Sequence, residues 1–258
     1  MKDKHQIVTN WLPRYTGIAV EDFQPYIILT NFIDYVEKFA KIFKVKVRGK
    51  DRPMPSATSE KEGLTIINFG MGSPNAATVM DLLSAVHPKA CLFLGKCGGT
   101  KRKTKIGDLI LPIAAIRGEG TSDDYFDVKV PALPSFSLQK AVSESIAAFG
   151  KDYWTGTIYT TNRRVWEHDE GFKEYLSKIR AIGIDMETAT IFLVGYANEI
   201  PKGALLLVSD QPMVPEGVKT QTSDRSVTRK FVDLHLKIGI DALKRVRESG
   251  RSVKHLKF

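Results

Sequence analysis

The sequence predicts an α/β fold, a single domain in which a mixed, mostly parallel central sheet is flanked by helices on both faces. Runs rich in Ile, Leu and Val alternate with helix-like runs along the whole chain, as in parallel sheets covered by helices. The chain has 258 residues, is 43% hydrophobic and contains no Gly/Ser linker, low-complexity tract or internal repeat, so one core suffices. We expect one domain over 1–258, with an irregular N-terminal segment at 1–24 and a basic C-terminal tail at 244–258.

Short apolar runs predict the strands of this sheet. Runs of this length without polar interruption are typical of strands that are buried on both faces. Residues 45–48 alternate between apolar and basic side chains and are interpreted as an edge strand. The runs that we interpret as buried strands lie at 26–30, 64–69, 90–94, 106–116, 154–161 and 205–208, together with a short one that ends at Asp185.

Apolar side chains that recur at helical spacing predict the intervening helices. Ser73 as the N-cap and Pro74 as the first helical residue predict a helix that continues to Val86. A final helix is expected after a polar loop that extends to about Ser226. The other predicted helices lie at 32–43, 135–149, 171–179 and 189–198.

The formal net charge of +9 raises the question of a nucleic-acid partner. The basic residues are scattered, apart from a run at 101–105 and the tail from 244, and no aromatic residue interleaves the run. A platform for stacked bases is therefore not apparent. We interpret both segments as solvated and expect no nucleic acid, although positive potential favours capture of a small anion such as a nucleotide.

The sequence also predicts the compartment. No run approaches the roughly 18 apolar residues of a membrane span, and no apolar signal region follows the first residues. Cys91 and Cys97 have no His or Cys partner at metal-binding spacing. We therefore expect free thiols in a reducing cytoplasm, with no membrane contact and no metal.

Two carboxylates mark the candidate site, and each follows a predicted strand. Glu187 lies between the strand that ends at Asp185 and the next helix, and Asp210 follows the strand at 205–208. Ligands of open α/β sheets bind beyond the carboxyl ends of the strands. Two carboxylates there indicate divided roles, one holding hydroxyl groups and the other handling a proton.

Two glycine-rich segments follow predicted strands and are candidate ligand loops. Gly70-Met71-Gly72 lacks the third glycine of a dinucleotide fingerprint, and no phosphate-binding P-loop pattern occurs, so no cofactor is expected. The segment 95–99 is interpreted as a turn after a buried strand. Its inserted Lys96 favours contact with an anion, and Cys97 and Gly98 are taken as candidate substrate contacts.

A series of motifs carries a family resemblance over about 24–243. In chain order they are Gln24-Pro25-Tyr26, Thr30-Asn31-Phe32, 95–99, 117–122 with Tyr125, Thr160-Thr161 with Arg164 and Trp166-Glu167, 184–191, 208–212 and 235–240. This series resembles the AMP nucleosidase branch of the purine nucleoside phosphorylase/nucleosidase superfamily. The resemblance implies a nucleoside phosphorylase-like fold and hydrolysis of AMP to adenine and ribose 5-phosphate.

The resemblance also implies roles for the candidate residues. Glu187, as a carboxylate, has lone pairs for the two vicinal ribose hydroxyls, and Met186 supplies a polarizable apolar floor beneath the sugar. Asp210 is assigned to proton transfer to the purine N7. Cleavage of this bond places positive charge on the sugar and negative charge on the base, so stabilising both accelerates it.

The base and the 5′-phosphate need further partners. Trp166, with Tyr159 behind it, is the candidate flat wall for the purine, and a place in the core is the alternative for either ring. Charge-assisted donors suit the phosphate. The candidates for that role are Lys96, Arg163 and Arg164, with hydrogen bonds from Thr30 and Asn31.

Two departures from the family pattern affect this interpretation. Longer AMP nucleosidases carry an N-terminal regulatory domain, and this chain starts close to the catalytic core, so loss of allosteric control is implied. The phosphorylases place an arginine just before the glycine segment to hold inorganic phosphate, whereas this chain has Leu92-Phe93-Leu94. Water is thereby favoured as the nucleophile.

Two alternative functions remain open from the sequence. One is a purine nucleoside phosphorylase, or a hydrolase of unphosphorylated nucleosides. The other is a non-catalytic module that binds nucleotides or nucleic acid, against which the Glu187 and Asp210 pair argues. The resemblance further implies a homo-oligomer, a hexamer built as a trimer of dimers, as in a superfamily where residues of a neighbouring subunit often complete the site.

Overall fold

The computed structural model describes residues 3–250, apart from the side chain of Ser223. The helices are α1 (Lys4–Thr16), α2 (Ile33–Phe43), α3 (Ser73–Leu82), α4 (Phe136–Ala148), α5 (Glu170–Lys178), α6 (Thr188–Ala197) and α7 (Gln221–Glu248). The strands are β1 (Tyr26–Thr30), β2 (Ser56–Ser59), β3 (Leu64–Asn68), β4 (Ala90–Gly99), β5 (Leu109–Gly118), β6 (Trp154–Thr161), β7 (Gly183–Asp185) and β8 (Lys202–Asp210).

The eight strands form one mixed sheet in the order β2-β3-β1-β4-β7-β6-β5-β8. Pairings of β1 with β3 and β4, of β4 with β8, and of β6 with β5 and β7 are parallel, whereas the β2–β3, β4–β7 and β5–β8 pairs are antiparallel. Because β8 also pairs with β4, the strands β4, β7, β6, β5 and β8 close into a ring. The predicted mixed, mostly parallel sheet is confirmed.

Helices cover both faces of this sheet, as predicted. One apolar core holds side chains of α1, α3 and α6, and a second holds side chains of α2, α4 and α7. β4 contributes to both cores, because successive side chains of a strand point to opposite faces. Cys91 and Phe93 belong to the first core, and Leu92 and Leu94 belong to the second. The run 90–94 is therefore apolar throughout.

The expectation of an irregular segment over 1–24 was wrong for most of that segment. Residues 4–16 form α1, whose first turn is capped reciprocally: the Asp3 side chain accepts from the Gln6 backbone, and the Gln6 side chain accepts from the Asp3 backbone. Val8 and Leu12, one helical turn apart, bury this helix against the core. Gly17, in the left-handed conformation, ends it.

The segment 95–99 is a strand and not the predicted turn. β4 continues through Gly99, and its glycines serve close packing. A Cβ on Gly95 would lie 2.4 Å from the Phe93 ring, and one on Gly98 would lie 2.7 Å from Pro212. Glycine in a strand often marks such close approach.

Other differences concern strand identity and helix ends. Residues 45–48 contribute only an isolated bridge between Arg48 and Ser56, and the neighbouring strand is β2. Gly72, and not Ser73, precedes the first residue of α3. The predicted tail at 244–258 begins inside α7, which continues through Glu248, and 251–258 lie outside the described residues. In the described part of the chain, no helix is both long enough and apolar enough to span a bilayer.

A buried hydrogen-bonded histidine connects α7 to the sheet and to α2. The Leu205 carbonyl lies 3.0 Å from His235 Nε2, and the Tyr35 hydroxyl lies 2.8 Å from Nδ1. Because a carbonyl only accepts, Nε2 carries the proton and Nδ1 accepts from Tyr35. Burial lowers the pKa of His235 to about 4, so the ring is neutral in the folded protein.

This histidine makes folding stability dependent on pH. Between about pH 6.5 and pH 4 the unfolded chain binds a proton at His235 that the folded chain does not, so the free energy of unfolding falls as the pH falls through that window. Between pH 7 and pH 5, this residue should lower the free energy of unfolding by about 2 kcal/mol. Urea unfolding at both pH values should show this loss, and His235→Gln should reduce it. The control His5→Gln, at an exposed position, should retain the full loss. If His235→Gln lost as much unfolding free energy between pH 7 and pH 5 as wild type, His235 would not be its source.

Candidate active site

A cavity of about 240 Å³ opens where β1, β4, β6, β7 and β8 end. It is lined by every residue that the sequence analysis proposed for substrate, except Thr30 and Tyr159. Residues that lie more than 170 positions apart in the chain, such as Asn31 and Asp210, thus share one wall. The proposed residues that line it are Asn31, Lys96, Cys97, Gly98, Arg163, Arg164, Trp166, Met186, Glu187 and Asp210.

Glu187 lies in this wall immediately before α6. It is 2% exposed, and Oε1 accepts from the Gly72 backbone N–H at 2.8 Å, while Oε2 lies 3.3 Å from the Met186 backbone nitrogen. Burial, reinforced by the charge of Asp185, raises the pKa of Glu187, and hydrogen bonds from Gly72, Met186 and Asn31 act in the opposite direction. Backbone donors therefore orient the carboxylate on both oxygens.

The Gly70–Gly72 segment has a structural explanation in this contact. Gly70 and Gly72 both have positive φ, at 82° and 94°, a conformation that favours glycine. The turn brings the Gly72 N–H to Glu187, and Ser73 donates from its hydroxyl to the Met186 carbonyl at 2.7 Å. The segment thus positions Met186 and Glu187.

Asp185 is a buried carboxylate to which the sequence analysis gave no role. It accepts from the Thr160 hydroxyl at 2.8 Å, from the Thr188 backbone at 2.9 Å and from the Thr188 hydroxyl. Burial raises its pKa, and these three donors oppose that effect. Asp185 therefore connects β6 to the first turn of α6, two residues from Glu187. Its spacing from Thr188, typical of a side chain that caps a helix, was the available sequence signal.

Asp210 ends β8 at another part of the cavity wall. It is 8% exposed, and Oδ1 accepts from the Ser209 hydroxyl at 2.6 Å. Lys219 Nζ lies 3.5 Å from the same oxygen and 3.8 Å from Asp224. Lys219 falls in the polar loop predicted before the final helix. No sequence spacing connects it to Asp210, because the contact depends on how that loop folds over the cavity.

Lys96, proposed for the substrate phosphate, is engaged inside the protein. Its side chain is 1% exposed, and Nζ donates to Asp224 at 3.0 Å and to the Thr228 hydroxyl at 2.8 Å. The ammonium also lies 4.2 Å from the centre of the Phe32 ring. Burial lowers the pKa of Lys96 and Asp224 opposes that effect. Two of the three N–H donors of the Lys96 ammonium group therefore bond to side chains of α7.

The two arginines lie at the more exposed part of the cavity. The Arg163 side chain, 45% exposed, pairs with Asp169 at 3.0 Å, and the Arg164 side chain, 50% exposed, lies 3.3 Å from Glu167. Exposed pairs of this kind contribute little to stability. Their guanidinium groups therefore exchange partners at low cost.

Of three further residues proposed to contact the substrate, one lines the cavity and two do not. Trp166 is 4% exposed, lines the cavity and meets Phe172 edge to face at 5.3 Å. Tyr159 also meets the Phe172 ring edge to face, at 5.7 Å, packs against Gly118 and does not line the cavity. Thr30 is fully buried at the end of β1, which is covered on both faces, and its side chain does not line the cavity.

Further residues complete the lining without having been proposed from the sequence. They include apolar surface for a base or sugar as well as charged groups. Among residues 3–250 no group of three or more His, Cys, Asp or Glu side chains is arranged to hold a metal ion. Cys91 and Cys97 are buried free thiols. The additional lining residues are Phe32, Met71, Thr161, Glu167, Ile184, Asp185, Pro212, Lys219 and Asp224.

The arrangement separates two chemical functions. At one part of the wall a carboxylate is held by backbone N–H groups and faces the cavity beside Met186. At another, Asp210 lies beside Lys219 and Pro212. A carboxylate fixed in this way accepts from vicinal hydroxyls, and a second acidic group that lines the same cavity suits proton exchange with a heterocyclic base.

Known proteins share this fold and parts of the sequence. A crystal structure of AMP nucleosidase from Bacteroides thetaiotaomicron is 55% identical, with a TM-score of 0.86 over 96% of this chain and 99% of that chain. Purine nucleoside phosphorylase from Toxoplasma gondii, solved in complex with immucillin-H, is 20% identical, with a TM-score of 0.79 over 90% of this chain and 95% of that chain, and shows the fold alone.

A curated relative extends the comparison. AMP nucleosidase from Escherichia coli K12 is 30% identical over an alignment that covers 93% of this chain. The chain spans only 58% of the length of that relative. The sequence model of the phosphorylase superfamily matches residues 25–244. This match includes every residue of the cavity wall described above, and the chain belongs to the phosphorylase superfamily.

Proposed function

We propose that the chain hydrolyses the N-glycosidic bond of AMP and releases adenine and ribose 5-phosphate. The observation that carries this proposal is that Glu187 and Asp210 line one cavity, together with Trp166 and Arg164. The similarity to the AMP nucleosidases of Bacteroides thetaiotaomicron and Escherichia coli supports AMP as the substrate.

The reaction divides between the two carboxylates. Glu187, held by the Gly72 and Met186 N–H groups, accepts hydrogen bonds from the two ribose hydroxyls and lies near the positive charge that develops on the sugar. Met186 packs against the sugar. Asp210 transfers a proton to the purine N7 as the bond from C1′ to N9 breaks. A water oxygen then bonds to C1′, and the proton that this water loses returns through solvent to Asp210, which restores the acid.

The more exposed part of the cavity holds the 5′-phosphate. Arg164, and Arg163 beside it, supply charge-assisted donors once they exchange their exposed carboxylate partners for the phosphate. Trp166 forms the wall for adenine. Asn31, whose buried Oδ1 has no hydrogen-bond partner among the described residues, is available to the sugar or the phosphate.

The chain acts as one catalytic domain in a homo-oligomer, a hexamer in this proposal. Exposed apolar side chains on and beside β5 support association: Ile113 is 57% exposed, Leu133 48% and Phe136 80%. Large apolar side chains exposed in this way are candidates for burial at an interface. The two unpaired thiols, Cys91 and Cys97, support a reducing compartment, the cytoplasm.

The products distinguish hydrolysis from phosphorolysis. Incubated with AMP, the protein should release adenine and ribose 5-phosphate at the same rate with and without inorganic phosphate. Phosphorolysis of AMP would yield ribose 1,5-bisphosphate. Chromatography of the base and ³¹P spectra of the sugar phosphates identify the products. Absence of adenine release from AMP would refute the proposed function.

Replacing the proton donor should depress turnover. Asp210→Asn keeps the shape of the side chain and removes its acid function, so kcat should fall at least about 100-fold, the contribution typical of a general acid. KM should change little, because the loss falls on the transition state. The matched control is Asp233→Asn, on the exposed side of α7. Turnover within a few-fold of wild type would argue against the role of Asp210.

Replacing the phosphate ligand should discriminate between substrates. Arg164→Ala should raise KM for AMP roughly 10- to 100-fold, the equivalent of one charge-assisted hydrogen bond, and should leave KM for adenosine nearly unchanged. Steady-state kinetics with both substrates measure this difference. Arg102→Ala, an exposed arginine outside the cavity, is the control. Equal effects on AMP and adenosine would show that Arg164 does not contact the phosphate.

A further inference from the structure

The first turns of α7 close one part of the cavity through a buried ion pair. Asp224 and Thr228 lie one turn apart on α7, and both contact Lys96 Nζ, at 3.0 Å and 2.8 Å. The burial of the two partners is unequal: the Lys96 side chain is 1% exposed, whereas that of Asp224 is 35% exposed. Lys96 belongs to the rigid interior of β4, and Asp224 reaches it from the edge of the cavity.

A buried ammonium needs a counterion. An isolated charge in a protein interior is unfavourable, and an anion with several oxygens removes that cost. The donors gathered at this point, Nζ of Lys96 and the hydroxyl of Thr228, are the kind that bind a phosphate group. In this chain a carboxylate of the protein itself takes that position.

The neighbouring charges also disfavour the binding of an external anion at Lys96. Lys219 is shared between Asp210 and Asp224, at 3.5 Å and 3.8 Å, so the two lysines at this wall face two carboxylates. A phosphate dianion approaching Lys96 would meet the Asp224 carboxylate first and would be repelled by it. Water, being neutral, carries no such penalty.

We infer that Asp224 determines the choice of nucleophile, by acting as a built-in counterion of Lys96 that keeps inorganic phosphate away from the sugar carbon. This inference rests on the proposed function. In hydrolysis, the water oxygen bonds to C1′, the electron pair of the C1′–N9 bond leaves with the base, and the base is protonated at N7. In phosphorolysis, an oxygen of inorganic phosphate would form the bond to C1′ instead, which gives ribose 1,5-bisphosphate from AMP.

The test removes the charge of Asp224 and measures phosphate binding directly. Asp224→Asn should bind inorganic phosphate roughly tenfold or more tightly than wild type, because one charge-assisted contact is gained and one repulsion is lost. Titration calorimetry with phosphate alone gives this affinity independently of activity. With AMP present, ribose 1,5-bisphosphate should appear only in the variant, detected by ³¹P spectra.

Four further variants test whether the effect belongs to this ion pair. Asp241→Asn removes a carboxylate from the same helix, where it pairs with Arg245, and should leave phosphate affinity unchanged. Asp224→Glu keeps the charge and should keep phosphate excluded. Lys96→Met combined with Asp224→Asn removes the cation, and the gain in phosphate affinity should disappear. Asp224→Ser provides a second neutral side chain if Asp224→Asn does not fold.

The outcomes separate this inference from the proposed function. Folded neutral variants with the phosphate affinity of wild type would overturn the role of Asp224, even if AMP is still hydrolysed. A lower KM for AMP without any gain in phosphate affinity would also overturn it, because Lys96 would then contact the substrate's own phosphate. Failure of wild type to release adenine would refute the proposed function, whatever the phosphate titration shows.

Discussion

The cavity depends on the carboxylate of Glu187, which is almost fully buried and lies immediately before α6. Burial disfavours the charged form of Glu187, and backbone N–H groups from Gly72 and Met186 offset part of that cost. Both donors belong to ordered backbone: Gly72 lies in a turn with positive φ, and the Met186 carbonyl accepts from the Ser73 hydroxyl. The position of the carboxylate is therefore set by the backbone before any ligand arrives.

Neighbouring elements make this arrangement rigid. Asp185 and the Thr160 hydroxyl connect β6, β7 and the first turn of α6, so movement of one element would break buried hydrogen bonds in the others. At another part of the cavity wall, Lys96 and Lys219 link α7 to β4 and β8 through Asp224 and Asp210. The part around Glu187 is held by backbone donors and hydroxyls, whereas this part is held by ion pairs in which another anion could replace a carboxylate.

Most elements of the fold were predictable, and the errors have local causes. Strands such as β1, β4 and β8 are apolar throughout because helices cover both of their faces. The glycines of 95–99 indicate a turn by composition, yet the neighbouring side chains of Phe93 and Pro212 require glycine in a strand. Residues 4–16 within the predicted irregular segment 1–24 form a helix, and its apolar residues Val8 and Leu12 are buried because the helix packs against the core.

The sequence by itself determined the strand and helix pattern, the strand-end positions of Glu187 and Asp210, and the family resemblance, because these depend on spacing along the chain. The tertiary structure alone decided that Lys96 is neutralised by Asp224, that Lys219 lies beside Asp210, and that Thr30 and Tyr159 do not line the cavity. The physical reason is that counterions and burial arise between residues distant in sequence. Lys96 and Asp224, 128 positions apart, meet only when α7 packs against the sheet.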